Sequence, residues 1–172
     1  MAPETAAGTP VGKRAGWAEL LVCLIVCYAT ATVGAIASVT APEFYRQLVQ
    51  PAWAPPGWLF GPVWTLLYTL MAISAWLVWR AGSLIGARRS FLWFIAQLLC
   101  NALWSWLFFA WRRGGLAMAD IIVLWLLLLG TVLSFRRWSR LSAWLLAPYL
   151  AWVTFAAALN LAVWQANPGL LH

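Results

Sequence analysis

The chain has 172 residues, 65% of them apolar and only 9% charged, with fifteen tryptophans and a net charge of +7. Soluble domains run nearer about 45–50% apolar and about 25% charged, so this composition cannot cover a water-facing surface. It excludes a soluble domain and a disordered chain, and the three cysteines, Cys23, Cys27 and Cys100, all lie inside apolar runs, unlike a secreted disulfide scaffold. The reading is an all-α integral membrane protein.

Residues 1–16, rich in Ala, Gly, Pro and Thr, read as a mobile tail. Residues 17–167 read as one membrane domain, and 168–172 as a short C-terminal tail. Five apolar stretches predict five spanning helices, at about 17–39, 58–79, 90–111, 116–135 and 142–165. Each reaches the length that about 30 Å of hydrocarbon needs at 1.5 Å per residue. The first is too long for a cleaved signal peptide. Stretches this long and apolar suit helices, which satisfy their own backbone in lipid, better than short barrel strands. The fold expected is a five-transmembrane-helix bundle.

Basic residues sit between the spans and not along one helix face, which argues against nucleic-acid binding and for an orientation signal. Lys13, Arg14, Arg80, Arg88, Arg89, Arg136, Arg137 and Arg140 share one side, against Arg46, Arg112 and Arg113 on the other. That asymmetry predicts a cytoplasmic N-terminus. Three of the connections are short, so neighbouring spans run antiparallel.

Residues 40–57 differ in kind. The segment holds Pro42, Pro51, Pro55 and Pro56 around Trp53. Fixed φ angles reduce the unfolded chain's freedom, so a long connection can still be ordered. It reads either as a lid over a binding site or as a connector with an aromatic belt, and the rigid backbone around Trp53 favours the lid. Gly57 is the natural hinge.

Chemistry has few carriers. The only histidine is His172, and the cysteines lack metal-ligand spacing, so no metal site is expected. The acids, Glu4, Glu19, Glu43 and Asp120, are scattered, and no hydrolytic or phosphoryl-transfer machinery is visible. Asp120 lies about one turn into the fourth span. It is either functional or an interfacial group paired with Arg112, Arg113 or Arg46, and the pairing is the expectation.

The polar residues inside the spans form stripes. Gln97, Asn101 and Ser105 recur at i, i+4, i+8, and Trp152, Ala156 and Asn160 share that spacing. Such amides are either helix-to-helix glue or the lining of a semi-polar cavity. Depth brings them together. Trp64 and Tyr68 lie roughly 9 and 15 Å below Trp58 by the helical rise. Asn101, Trp152, Ala156 and Asn160 fall in the same half of the membrane, under the long loop. Small residues at Gly34, Ala35, Ala37, Ala117, Ala119 and Gly130 permit close helix contacts and a homodimer.

Three segments, PAWAPPGWLFGPVWTLLYTLMAISAWLVWR, FIAQLLCNALWSWLFF and LLAPYLAWVTFAAALNLAVW, occur here in order. With them the chain closely resembles the TspO/translocator protein family over roughly residues 17–167. The resemblance implies a usually dimeric bundle that binds tetrapyrroles such as protoporphyrin IX or haem, and in mitochondria cholesterol and synthetic ligands. It implies ligand binding by Tyr45, Trp53, Trp64, Asn101, Trp152, Ala156 and Asn160 beneath the loop after the first helix. Depth along its helix adds Tyr68 to the expected ligand-binding residues. Trp64 and Trp152 match the pair linked in some members to light-dependent porphyrin breakdown, where they would be the catalytic residues. Phe44 stands where many members have tryptophan, and Gln50 where lysine is usual. After Asn160 the chain reads LAVWQANPGLLH, without the tyrosine and basic residue of the proposed cholesterol motif.

The expectation is therefore a membrane protein, in a bacterial cell membrane, that binds a porphyrin or other apolar small ligand for transport, sensing or regulation. No cofactor is required, and the porphyrin is ligand. Without a pocket histidine, free-base porphyrin fits better than imidazole-ligated haem. A light- and oxygen-dependent porphyrin-degrading enzyme is the alternative, and an assembly protein whose pocket is only packing is the third reading.

Overall fold

The computed structural model describes residues 16–172. Residues 1–15, with most of the expected tail and Lys13 and Arg14, lie outside them. Five helices among the described residues are long and apolar enough to cross a membrane. The chain is a membrane protein built as a helical bundle.

Helix α1 covers Trp17–Ala37, and Glu19 turns back to accept from the Gly16 amide, which satisfies a helix-start donor. Its buried residues, Cys23, Cys27, Gly34 and Ala37, form one stripe of small side chains. Leu21, Ile25, Val33 and Ile36 stay exposed, as a lipid-facing surface requires. The span ends two residues before the sequence suggests.

The long connection is partly helical. Helix α2, Ala41–Gln47, starts with Pro42 in its first turn, where the missing N–H costs nothing. A single 3₁₀ turn at Gly57–Leu59 leads into α3, Phe60–Gly82. Helix α4, Arg88–Ser105, continues as a π-helical segment, Trp106–Ala110. A tight turn through Arg112, at φ 54°, then delivers α5, Gly114–Arg136.

The fifth span is broken, against the single helix expected. Helix α6, Arg140–Leu145, is capped by the Ser139 hydroxyl, which accepts from Ser142 N at 3.2 Å. Helix α7 covers Ala147–Ala166. Pro148 in its first turn has no N–H for a preceding carbonyl, so the helix restarts there.

Helix α1 packs on α3 and α4, and α5 packs on α4 and α7. Hydroxyl pairs join the spans: Ser74 with Ser142 at 2.7 Å, Ser90 with Ser134 at 2.6 Å, and Tyr28 with Thr69 at 2.7 Å. Such bonds hold helices together where hydrophobicity cannot discriminate protein from lipid. Several small residues are used within the chain. Gly34 faces the Ser105 hydroxyl, Gly130 faces the Trp93 ring, and Ala37 and Ala117 are buried.

A second core lies at the loop end. Phe44 and Leu48 from the long connection pack with Leu107, Phe108, Leu159, Val163 and Leu171. Within residues 168–172, Leu171 is fully buried in this core and Leu170 packs against it.

Candidate functional site

A cavity of about 980 Å³ opens among α1, α2, α3, α4, α5 and α7 at the loop end. Its size is at the upper end of the about 300–1,000 Å³ typical of small-molecule sites. Tyr45, Trp64, Tyr68, Asn101, Trp152 and Ala156 all line it. Trp53 and Asn160 do not.

The inner wall is a buried polar chain. The Tyr68 hydroxyl donates to Asn101 Oδ1 at 2.5 Å, and Asn101 Nδ2 donates to the Tyr149 hydroxyl at 2.7 Å. Tyr149 then donates to Gln97 Oε1 at 3.0 Å. Each group takes the role its neighbour needs, so the network joins α3, α4 and α7 with its polar atoms satisfied. The Gln97–Asn101 stripe is thus both glue and lining. Gln97 stays behind the wall, while Asn101 reaches it.

The aromatic side chains form two sets. Trp64 lies 5.7 Å from Tyr68 and 6.0 Å from Tyr149, centroid to centroid. Tyr45, Phe60, Trp152 and Phe155 follow one another at 5.8, 5.9 and 5.5 Å. Trp53 ends this ladder 5.7 Å from Phe155 and remains about half exposed. It braces the back of the wall from outside.

Asn160 also acts at one remove. Its Oδ1 accepts from the Trp104 indole at 3.2 Å, and its Nδ2 donates to the Gly114 carbonyl at 3.3 Å. Trp104 is the cavity-lining residue. An asparagine in an apolar span signals a buried bond, but its partner is a side chain 56 positions away that spacing cannot name.

Two further polar groups belong to residues that line the cavity. The Trp152 indole N–H is buried with no hydrogen-bond partner among the described residues. A buried orphan donor costs about 1–3 kcal/mol. Arg46 lines the rim beside Glu43, 3.7 Å away, and is largely exposed. The sequence offers Arg46 as an orientation signal and as a partner for Asp120, and it is the one cation in the long connection. Tyr45 donates to the Pro55 carbonyl at 3.3 Å, and burial raises its phenol above the ordinary range, so it stays a neutral donor.

The rim includes exposed residues of two spans, Thr32 and Ala35 from α1 with Gly61 and Thr65 from α3. The cavity therefore opens sideways between α1 and α3. Tyr28 closes the lower end through its bond to Thr69. The π segment turns Phe109 into the cavity while Phe108 stacks on Trp104 at 5.2 Å.

Asp120 corrects an expectation. No ion pair joins it to Arg112, Arg113 or Arg46 among the described residues. It lies in α5 beside Cys100, and its Oδ2 is buried without a partner. Arg112 instead stacks over the Phe44 ring at 4.8 Å. The described residues hold no cluster of metal-ligating side chains.

The TspO/MBR family profile matches residues 20–165. The chain is similar to the "Tryptophan-rich protein TspO" of Chlorobaculum tepidum, 37% identical over 158 residues, 87% of this chain and 96% of that one. The "Tryptophan-rich sensory protein" of Cereibacter sphaeroides is 36% identical over 151 residues, 88% and 92% of the two chains. The human "Translocator protein" is 37% identical over 129 residues, 74% and 76%.

Proposed function

The chain belongs to the TspO/MBR family, and on that premise we propose that its cavity binds a tetrapyrrole, free-base protoporphyrin IX best, in a membrane sensing, transport or regulatory role. The observation that carries this reading is the wall itself: Trp64, Trp104 and Trp152 around a buried amide, with one arginine at the rim. A porphyrin is a flat apolar macrocycle with carboxylate arms. Indole faces stack on it at low conformational cost. Arg46 suits a carboxylate at the mouth.

The names of relatives, "sensory protein" and "translocator protein", accord with a receptor or carrier. The two bacterial relatives cover more of the chain than the mammalian one, which supports a bacterial cell membrane. The same reading includes a cytoplasmic basic end and a homodimer, which crosslinking in native membranes tests.

The binding test compares protoporphyrin IX with its dimethyl ester on purified protein. Saturable binding of the acid, and weaker binding of the ester, supports the reading. Non-saturable partitioning of both overturns it.

A second reading, light-dependent porphyrin breakdown, draws on the position of Trp64 and Trp152 on one wall, with Trp64 against two tyrosines. Illumination in oxygen should then give a new absorbing product. The same rate in a Trp64→Phe plus Trp152→Phe protein removes the indoles from that chemistry.

A further inference from the structure

A second cavity lies at the opposite end of the bundle. It occupies about 450 Å³ and is lined by Arg88, Arg89, Ser90, Ser134, Arg137 and Trp138, with Gly86 and Ala87. Two of the three arginines belong to the start of α4 and the third, Arg137, follows the end of α5. No carboxylate pairs with any of them among the described residues, where the one ion pair is Arg46–Glu43.

The hydroxyls do not compensate. Ser90 and Ser134 bond to each other at 2.6 Å, and Trp138 donates its indole N–H to Ser90 at 3.0 Å. They build a fixed polar floor. Arg88 and Arg89 also occupy the first turn of α4, the positive end of its dipole, where a cation is disfavoured. Arg137 follows the C-terminus of α5, so three guanidiniums without an ion-pair partner belong to residues lining one small cavity, two of them in conflict with the α4 dipole. A bound anion resolves the conflict.

The surroundings identify its source. The cavity sits where two inter-span connections meet the membrane boundary. Leu84 and Ile85, just before Gly86, are exposed, Ile85 at 85%. An anionic head over the arginines thus continues into an apolar surface suited to acyl chains. We propose that this cavity is a binding site for the phosphate headgroup of an anionic phospholipid, independent of whatever the loop-end cavity binds.

The test uses purified full-length protein in mixed micelles, with native mass spectrometry reading retained phosphatidylglycerol against phosphatidylcholine. Wild-type protein should retain phosphatidylglycerol selectively. Arg88→Gln plus Arg137→Gln should weaken retention on the order of twentyfold, at roughly fivefold per arginine near an anionic headgroup. Arg136→Gln plus Arg140→Gln removes the same charge from the same end outside the cavity, and should leave retention within about twofold. Arg88→Lys plus Arg137→Lys keeps the charge and should retain most binding. Equal retention of the two lipids by wild type, or equal losses in both glutamine pairs, overturns the proposal. Displacement of the lipid by millimolar inorganic phosphate also overturns the lipid assignment, because it makes the site one for free phosphate.

Discussion

Asn167 holds both sides of the Val49 backbone. Its Oδ1 accepts from Val49 N at 2.8 Å, and its Nδ2 donates to Val49 O at 2.9 Å. The same Nδ2 donates to Val163 O at 2.8 Å, so one buried amide ends α7 and ties the long connection to it. With Leu48 and Leu171 buried beside it, the connection is anchored at its midpoint.

Asn167→Ala removes all three bonds and leaves buried backbone groups without partners. It should destabilise the protein by about 2–3 kcal/mol and raise the exchange rate of the Val49 amide. Asn167→Asp keeps the acceptor for Val49 N but sets a carboxylate oxygen against the Val49 and Val163 carbonyls, so it should be no milder. Thermal melting with hydrogen exchange checks this. An unchanged Val49 amide would show that the apolar contacts alone hold the segment.

Asn160→Ala should lower protoporphyrin affinity without removing a ligand contact, because it frees the Trp104 ring. The expected loss is about 1 kcal/mol, the worth of one buried hydrogen bond. Combined with Trp104→Phe, which deletes the indole donor, the effects should be sub-additive. A titration showing full additivity would separate the two residues.

The long connection as a lid gives a kinetic prediction. Trp53→Ala removes the brace on Phe155, and Pro55→Ala plus Pro56→Ala loosens the backbone that carries it. Both should lower affinity mainly by accelerating release. Because Trp53 stands behind the wall, its effect should be smaller than that of Trp152→Ala. Stopped-flow release of protoporphyrin is the measurement, and wild-type release rates in both would make the segment a connector.

Close packing at the start of α5 is testable by one methyl group. A Cβ on Gly114 would collide with the Trp164 ring and come within 3.0 Å of Leu171, whereas one on Gly61 meets nothing within 4 Å. Gly114→Ala should destabilise by about 1–3 kcal/mol, and Gly61→Ala should leave the melting temperature near wild type. Equal melting of the two variants would contradict the packing described.

Much of this was legible in the sequence because a membrane imposes coarse rules. Span number follows from length and hydropathy, and the depth of Trp64, Asn101 and Trp152 follows from the rise of a helix. Helix ends were less legible. The break before Pro148 and the π segment after Ser105 depend on which carbonyls neighbours satisfy. Partner identity was least legible. Asn160 with Trp104, Asn167 with Val49, and Asp120 beside Cys100 and not an arginine are pairings across 56, 118 and 20 positions. Periodicity places a residue on a face, but not opposite a particular side chain.

The central claim is that the indoles of the loop-end cavity hold a tetrapyrrole. The most direct measurement follows the porphyrin's own absorption during titration of wild-type protein and a Trp64→Ala plus Trp152→Ala variant. This avoids a signal that the substitutions themselves remove. The account predicts saturable binding to wild type and at least roughly thirtyfold weaker binding to the variant, at about 1 kcal/mol per lost stacking face. Equal affinity in the two proteins, with the variant's helical content intact, would contradict it.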